Sequence, residues 1–232
     1  MTRTLAWGNL HNARDLGGLP LPEGETVRGR FFRAPRLDGL DAAGWADLQD
    51  AGVRTVVDLR NDAEIAPLEL PPGVVRRSHP IEDQSHRQFM DRWGQLLNSP
   101  IYYSDNLAYW PERIVDVFRA FAEAPPGGIV FHCSAGRDRT GLVSALLLTL
   151  AGVDDEEIVA DYLLSVTAMN DFFAAQEVPH ERPRSADDLA SWSAEVGDRL
   201  RDFLAQVDVE GFLTTNGLSA ADIAAVRDRL TR

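Results

Sequence analysis

The sequence has 232 residues, a formal net charge of −13, and 44% hydrophobic and 25% charged residues. A chain of this length can bury a substantial core, and one domain over residues 1–232 is expected. No basic run offsets the acidic balance, which argues against nucleic acid as a partner. Because the molecule is acidic, any phosphate site in it must be a local basic pocket. The single cysteine excludes an internal disulfide.

Neither the N-terminal segment nor the apolar segments of the sequence indicate a membrane protein. Met1–Leu10 lacks the apolar core of a signal peptide. The longest apolar segment, Leu142–Gly152, is well short of the ~20 residues that a membrane span needs. We expect no membrane span and a cytoplasmic location, with export by a route without a signal peptide left open. The five histidines have no metal-ligand spacing, so neither a metal nor a cofactor is expected.

In the first half, turn and capping residues separate apolar runs. Gly29–Ala34 is typical of a short strand. Asp41 caps a helix that is expected to run to Asp50, with Gly52 ending it. The β-branched run Val53–Leu59 predicts a buried strand, and Gly73–His79 a further one.

The second half is mostly helical in pattern. Gln84–Leu97 has weak helical character, whereas the apolar spacing after Trp110 defines an amphipathic helix. Gly128–Phe131 reads as a strand and Thr140–Ala151 as a buried helix.

Four further segments complete the chain. A capped helix is expected from Asp154 to about Ala168, followed by a loop or lid over 170–184. Ser185 and Ser219 then open two more helices.

The residues that could bind a ligand or react with it are concentrated between the strand at 128–131 and the helix at 140–151. The sequence there is His132-Cys133-Ser134-Ala135-Gly136-Arg137-Asp138-Arg139-Thr140-Gly141. A helix N-terminus offers free N–H groups and a positive dipole end, and it favours the thiolate form of a nearby cysteine. The planar fork of Arg139 can hold two phosphate oxygens. The pattern predicts an anion-binding loop that carries its own nucleophile, Cys133.

Two residues flank this loop in supporting roles. The hydroxyl of Thr140 is expected to hydrogen-bond the Cys133 thiolate, and His132 to brace the loop rather than act as a base. The bland alternative is that Cys133 is a small buried apolar residue, which the surrounding arginines and glycines disfavour.

The run His-Cys-x5-Arg-Thr-Gly resembles the signature of cysteine-dependent protein tyrosine phosphatases. With Ala-Gly, a basic residue and Asp before the arginine, it is similar to the bacterial tyrosine/dual-specificity group of the mycobacterial protein tyrosine phosphatase B. The resemblance implies an α/β fold with a central, mostly parallel twisted sheet flanked by helices, and extra C-terminal helices. The short helix expected within 209–218 also resembles that family's closing element.

The resemblance implies a protein-tyrosine-phosphatase, a phosphoric monoester hydrolase that works without metal through a cysteinyl-phosphate intermediate. The expected substrate is phosphotyrosine in a protein or peptide, with phosphoserine and phosphothreonine as further classes. Cys133, Arg139 and the general acid Asp138 are the catalytic candidates. The phosphate would be bound by Ser134, Ala135, Gly136, Arg137, Asp138 and Arg139. Asp138 could instead only neutralise Arg137 or order the loop.

Asp58 and Arg60 are further candidates, since they end the strand 53–59 and ligands bind beyond the carboxyl ends of parallel strands. Asp58 is the second choice for the acid, and an ion pair that closes the strand end is an equal alternative. The run Asn12–Gly18 also resembles the family. Its Arg14 and Asp15 are expected to make buried polar contacts rather than to act in catalysis.

Trp110-Pro111-Glu112 is similar to the Trp-Pro-Asp loop that carries the acid in large tyrosine phosphatases. Helical spacing begins at once, so Glu112 is better explained as an acidic residue at a helix N-terminus. Tyr102, Tyr103 and Asp105 are lesser site candidates, each expected to serve packing.

Three alternatives remain open. One is a phosphoinositide phosphatase, although Arg137 stands where the resembled group usually has lysine, a different geometry for the same charge. Another is a catalytically silent phosphate-binding module. A rhodanese-like sulfurtransferase also uses a loop cysteine, but Arg139-Thr140 at phosphate-binding spacing favours phosphoryl chemistry.

Overall fold

A five-stranded sheet forms the centre of the molecule in the computed structural model, which describes residues 3–232. The strands are β1 (Arg14–Asp15), β2 (Phe31–Ala34), β3 (Val53–Asp58), β4 (Val75–Ser78) and β5 (Gly128–His132). Their order is β1-β2-β5-β3-β4, and β1 alone pairs antiparallel. The expected α/β fold with a mostly parallel sheet is confirmed.

Helices follow or connect these strands throughout the described chain. They are α1 (Ala42–Asp50), α2 (Arg87–Trp93), α3 (Tyr103–Tyr109), α4 (Pro111–Ala122), α5 (Asp138–Ala151), α6 (Asp155–Ala174), α7 (Ala186–Leu204), α8 (Val209–Thr215) and α9 (Ala220–Thr231). Two 3₁₀ turns lie at Asp62–Glu64 and Pro100–Tyr102. The last three helices are the extra C-terminal ones that were expected.

Three elements differ from the expectations. No strand was expected around Arg14 and Asp15, yet these residues pair as an edge strand with β2. Helix α3 was not predicted, since residues 81–107 show no clear period. Helix α6 continues to Ala174 and so takes the first part of the expected loop or lid.

The sheet is covered by apolar layers on both faces, and its central strand shows why. Ile129 and Phe131 of β5 belong to one cluster of buried side chains, while Val130 between them belongs to the other. Successive side chains of a strand point to opposite faces. A strand buried on both faces is therefore apolar at every position, as Gly128–Phe131 is.

The parallel strands bring four connections to one edge of the sheet. The segments after β2, β3, β4 and β5 all leave from their carboxyl ends, where ligands bind in open parallel sheets. Among residues 3–232, no helix is long and apolar enough to cross a membrane.

Candidate active site

The loop between β5 and α5 forms the floor of a cavity of about 800 Å³. Cys133 is buried, at 3% exposure, yet it reaches this cavity. Gly136 has a φ of +67°, and a Cβ there would lie 2.5 Å from the carbonyl oxygen of Ala34. Glycine is therefore required where the loop turns against β2. The predicted strand–loop–helix arrangement is confirmed.

Most of the predicted phosphate loop lines the cavity. The lining residues from it are Cys133, Ser134, Ala135, Arg137, Asp138 and Arg139. The lining also includes the stacked pair His11 and Phe172, whose ring centroids are 3.7 Å apart. A cavity of this size is within the range of small-molecule sites.

The outer side of the loop is held through its carbonyl oxygens. Arg33 of β2 donates to the carbonyls of Gly136 at 2.9 Å and Arg137 at 3.3 Å. Asn12 donates to Ala135 at 3.0 Å. Carbonyls that are bound outside favour amide hydrogens that face the cavity, the arrangement of an anion nest.

Arg33 is itself fixed by a buried carboxylate on α6. Asp161 accepts from Arg33 at 2.6 Å and from Arg14 at 3.1 Å, and it also binds Arg3 at 2.8 Å. Burial opposes the ionisation of Asp161, but these arginines together hold its pKa well below the usual range. Asp15 accepts from two backbone amides. The expectation that Arg14 and Asp15 make buried polar contacts is confirmed.

Two acidic side chains that the sequence did not point to lie next to Arg139. Its Nη1 and Nη2 donate to Glu64 at 2.6 and 2.7 Å, and its Nε lies 3.5 Å from Glu82. Ser134 also donates to Glu64, at 3.2 Å. Burial would raise the pKa of Glu64, but the hydrogen bonds and charge of Arg139 lower it to about 2.

Arg137 points to different partners. Its Nε donates to Asp138 at 3.0 Å, and its Nη2 donates to Glu181 at 2.7 Å. The other oxygen of Asp138 accepts from Tyr162 at 3.0 Å. Burial raises the pKa of Asp138 against the opposing charge of Arg137. Both oxygens of Asp138 are thus engaged, which supports its alternative role of neutralising Arg137 and ordering the loop.

Asp58 and Arg60 lie at the end of β3 and outside the cavity. The Asp58 carboxylate accepts from Arg60 at 2.9 and 2.8 Å and from Arg76 at 2.8 Å, and Arg60 also binds Asp38. Burial would raise the pKa of Asp58, but hydrogen bonds from Arg60 lower it. This network supports the ion-pair alternative, and a carboxyl kept ionised in this way is a poor proton donor.

His132 is fully buried behind the loop. Its Nδ1 donates to the carbonyl of Cys133 at 3.0 Å, and Nε2 lies 3.5 Å from Asp58. Burial lowers the pKa of His132, which favours the neutral ring. These contacts support the bracing role expected for it.

The expected hydrogen bond from Thr140 is not formed. Within residues 3–232, its buried Oγ1 has no hydrogen-bond partner. Thr140 lies in the first turn of α5, where the helical backbone rather than the loop sequence sets the direction of its Cα–Cβ bond. Thr140 is fully buried and does not line the cavity.

The lesser candidates serve the expected structural roles. Glu112 lies in the first turn of α4, behind Pro111, and not at the cavity. Tyr103 donates to the backbone of Asp138 at 2.8 Å, and Asp105 accepts from Trp93. Tyr102 is buried but does reach the cavity wall.

Sequence reasoning missed Glu64 and Glu82, although one signal was available. Glu64 follows β3 and Glu82 follows β4, so both lie at the carboxyl edge of the parallel sheet. The same rule singled out Asp58. Glu181, which lies in the expected loop or lid, had no comparable signal.

Comparisons with known proteins agree with this geometry. A profile described as "Tyrosine phosphatase family" matches residues 5–232. A Cupriavidus necator protein, named provisionally as a tyrosine-protein phosphatase, is 35% identical over 174 residues, covering 69% of this chain and 62% of that protein. A "Tyrosine-protein phosphatase" of Nostoc commune is 28% identical, covering 86% of this chain and 74% of its own.

A third relative is the "Triple specificity protein phosphatase PtpB" of Mycobacterium tuberculosis. It is 32% identical over 170 residues, which cover 59% of this chain and 61% of PtpB. The chain thus spans less than two thirds of two of these three relatives. The family match nevertheless extends over nearly all of the chain and includes the loop, β5 and α5. The resemblance seen in the sequence is therefore confirmed: this chain belongs to the tyrosine phosphatase family.

Proposed function

We propose that the protein hydrolyses phosphate monoesters, with phosphotyrosine in proteins or peptides as its main substrate. One observation carries this proposal. Cys133 opens into a cavity at the N-terminus of α5, and Arg139, six residues later, faces the same cavity. Nucleophile and phosphate ligand are thus supplied by one loop, which its carbonyl contacts hold in place.

The reaction follows from this arrangement. The Cys133 sulfur attacks phosphorus while Arg139, the loop amides and the positive end of the α5 dipole stabilise the equatorial oxygens. A cysteinyl-phosphate forms, and water then hydrolyses it. Two easier steps replace one difficult step. Charge stabilisation comes from protein groups, so the proposal includes neither metal nor cofactor.

The substrate class is supported by the side chains that line the cavity and by the relatives. Its wall carries Phe172, Phe173 and the ring of His11, which suit an aromatic leaving group. The Nostoc relative is named a tyrosine-protein phosphatase, and PtpB is named for triple specificity. Phosphoserine and phosphothreonine remain secondary substrates in the proposal. Phosphoinositides are disfavoured, because Arg137 is already bound to Asp138 and Glu181.

A proton donor for the leaving oxygen must also reach the cavity. Asp138 remains the prediction from the sequence, since it lines the cavity and burial raises its pKa. To donate a proton it would have to exchange its contact with Arg137 or Tyr162. Asp58 and Glu112 are left out of the proposal, because neither reaches the cavity. The proposed location is the cytoplasm.

The test is hydrolysis of 4-nitrophenyl phosphate by the wild type and by Cys133→Ser, with and without a chelator. We expect chelator-resistant turnover that Cys133→Ser abolishes, while binding of the phosphate analogue tungstate, followed by calorimetry, survives. Full activity in Cys133→Ser would refute the mechanism. Binding without any turnover in the wild type would instead support a silent phosphate-binding module.

A further inference from the structure

Besides Asp138 of the loop, a second buried carboxyl group lines the cavity, and the phosphate-binding role of the loop does not account for it. Glu82 follows β4, is 2% exposed and lies at the cavity wall. Its Oε1 accepts from Gln84 at 2.8 Å, whereas its Oε2 is buried without a hydrogen-bond partner among the described residues. A buried, unpaired carboxylate oxygen is costly. A protonated carboxyl removes that cost and carries a hydrogen to donate.

Glu82 is also placed next to the phosphate ligand. Its Oε1 is 3.5 Å from Nε of Arg139, whose Nη atoms are both occupied by Glu64. The edge of the guanidinium that includes Nε is thus the one left for a phosphate oxygen. An ester bound there would have Glu82 beside it. Asp138, by contrast, has both oxygens committed to Arg137 and Tyr162.

We propose that Glu82, rather than Asp138, donates the proton to the leaving oxygen; this inference rests on the proposed phosphatase function. As the sulfur–phosphorus bond forms and the phosphorus–oxygen bond breaks, the Glu82 proton passes to the departing oxygen. The Glu82 carboxylate then takes a proton from the water that attacks phosphorus. The sulfur–phosphorus bond breaks, phosphate leaves, and Cys133 and Glu82 return to their starting states.

The charges around Glu82 are consistent with a protonated resting state. Burial raises the pKa of Glu82, and the nearby Glu64 and Asp138 act in the same direction. Arg139 opposes them, and the hydrogen bond from Gln84 does so too. Of the remaining neighbours, Tyr102 packs nearby as a neutral phenol, and Arg113 of α4 donates to the backbone carbonyl of Glu82.

The test compares esters whose leaving groups differ in basicity. Phenyl phosphate needs a proton on its leaving oxygen, whereas 4-nitrophenyl phosphate needs little help. We expect Glu82→Gln to lower kcat for phenyl phosphate roughly 10²-fold or more, the contribution typical of general acid catalysis. The loss for 4-nitrophenyl phosphate should be much smaller, and the alkaline limb of the kcat profile should disappear. Glu82→Asp should retain that limb, which also controls for misfolding.

Three control variants separate this role from others. Glu64→Gln also weakens the contacts of Arg139. Because Glu64 only positions this arginine, its substitution should lower kcat by the same factor for both esters. Asp138→Asn tests the rival donor. Asp83→Asn tests the adjacent, partly exposed carboxyl, which is bound to Ser85. A leaving-group-dependent loss in Asp138→Asn or Asp83→Asn but not in Glu82→Gln, or an equal loss for both esters in Glu82→Gln, would overturn the inference. No wild-type hydrolysis of either ester would instead refute the proposed function.

Discussion

Arg137 and Arg139 lie two residues apart in the same loop, are almost equally buried, and are both bound by carboxylates. The two guanidinium groups nevertheless differ in which of their N–H groups remain without a hydrogen bond. Arg137 donates from Nε to Asp138 and from both Nη atoms to Glu181. Arg139 donates only its Nη atoms, to Glu64, while its Nε is 3.5 Å from Glu82, beyond the usual hydrogen-bond range. Arg137 therefore serves as part of the cavity wall, and Arg139 keeps an edge of its guanidinium available to a phosphate.

The difference shows that a basic residue does not bind phosphate merely because it lies in a phosphate loop. A guanidinium binds an oxyanion in a bidentate manner only through an edge that no other carboxylate occupies. Glu181, from the segment after α6, takes that edge of Arg137. The two arginines share a sequence context, and the carboxylates that reach them decide their roles.

The largest expected effect separates the two arginines directly. Arg139→Lys replaces a fork with a single ammonium, so kcat for 4-nitrophenyl phosphate should fall roughly 10²–10³-fold, as when one transition-state donor is removed. Arg137→Lys should lower kcat by less than about tenfold, or 1.36 kcal/mol. Steady-state kinetics of both variants measure the contrast. Equal losses would mean that both arginines bind the phosphate.

A second prediction concerns the carboxylate that holds Arg139. The pKa of Glu64 is lowered to about 2 from its ordinary 4.5, so its ion pair stabilises the fold above pH 4.5 and is lost as the pH falls towards 2. Glu64→Gln should cost about 1.5–3 kcal/mol of unfolding free energy at pH 7, as for hydrogen bonds to a charged group. Urea unfolding at pH 7, 4.5 and 3 should show the gap to wild type narrowing with acid.

The matched control for this series is Glu23→Gln, an exposed glutamate. Its unfolding free energy should stay close to that of the wild type at each pH. A gap for Glu64→Gln that stays constant from pH 7 to pH 3 would contradict the assigned ion pair.

The smallest change in kinetics is expected at Glu181, where the cavity wall is exposed to solvent. Glu181 is partly exposed, so Glu181→Gln should release Arg137 and change KM for a phosphotyrosine peptide by less than about tenfold, or 1.36 kcal/mol. Glu156→Gln removes another arginine–carboxylate pair, on the exposed faces of α6 and α7, and should leave KM unchanged. A loss of kcat in Glu181→Gln as large as that in Arg139→Lys would contradict the separation of the two arginines.

Much of the fold followed from local pattern. Asp41 caps α1 as expected, accepting from the amide of Gly44, and Asp154 caps α6 in the same way. The continuous apolar run in β5 marked a strand buried on both faces. Helix α3 could not be predicted, because it has only seven residues and its buried face, formed by Tyr103, Asn106 and Leu107, includes a polar side chain.

The sequence by itself determined the loop that carries Cys133 and Arg139, because strand, glycine turn and helix start are contiguous in the chain and fix its shape locally. Only the tertiary structure decided which groups surround it. Glu64, Glu82 and Glu181 arrive from segments 44–75 residues away from the arginines they meet or approach. Such ion pairs depend on where separate parallel strands and helices end in space, and no local pattern records that.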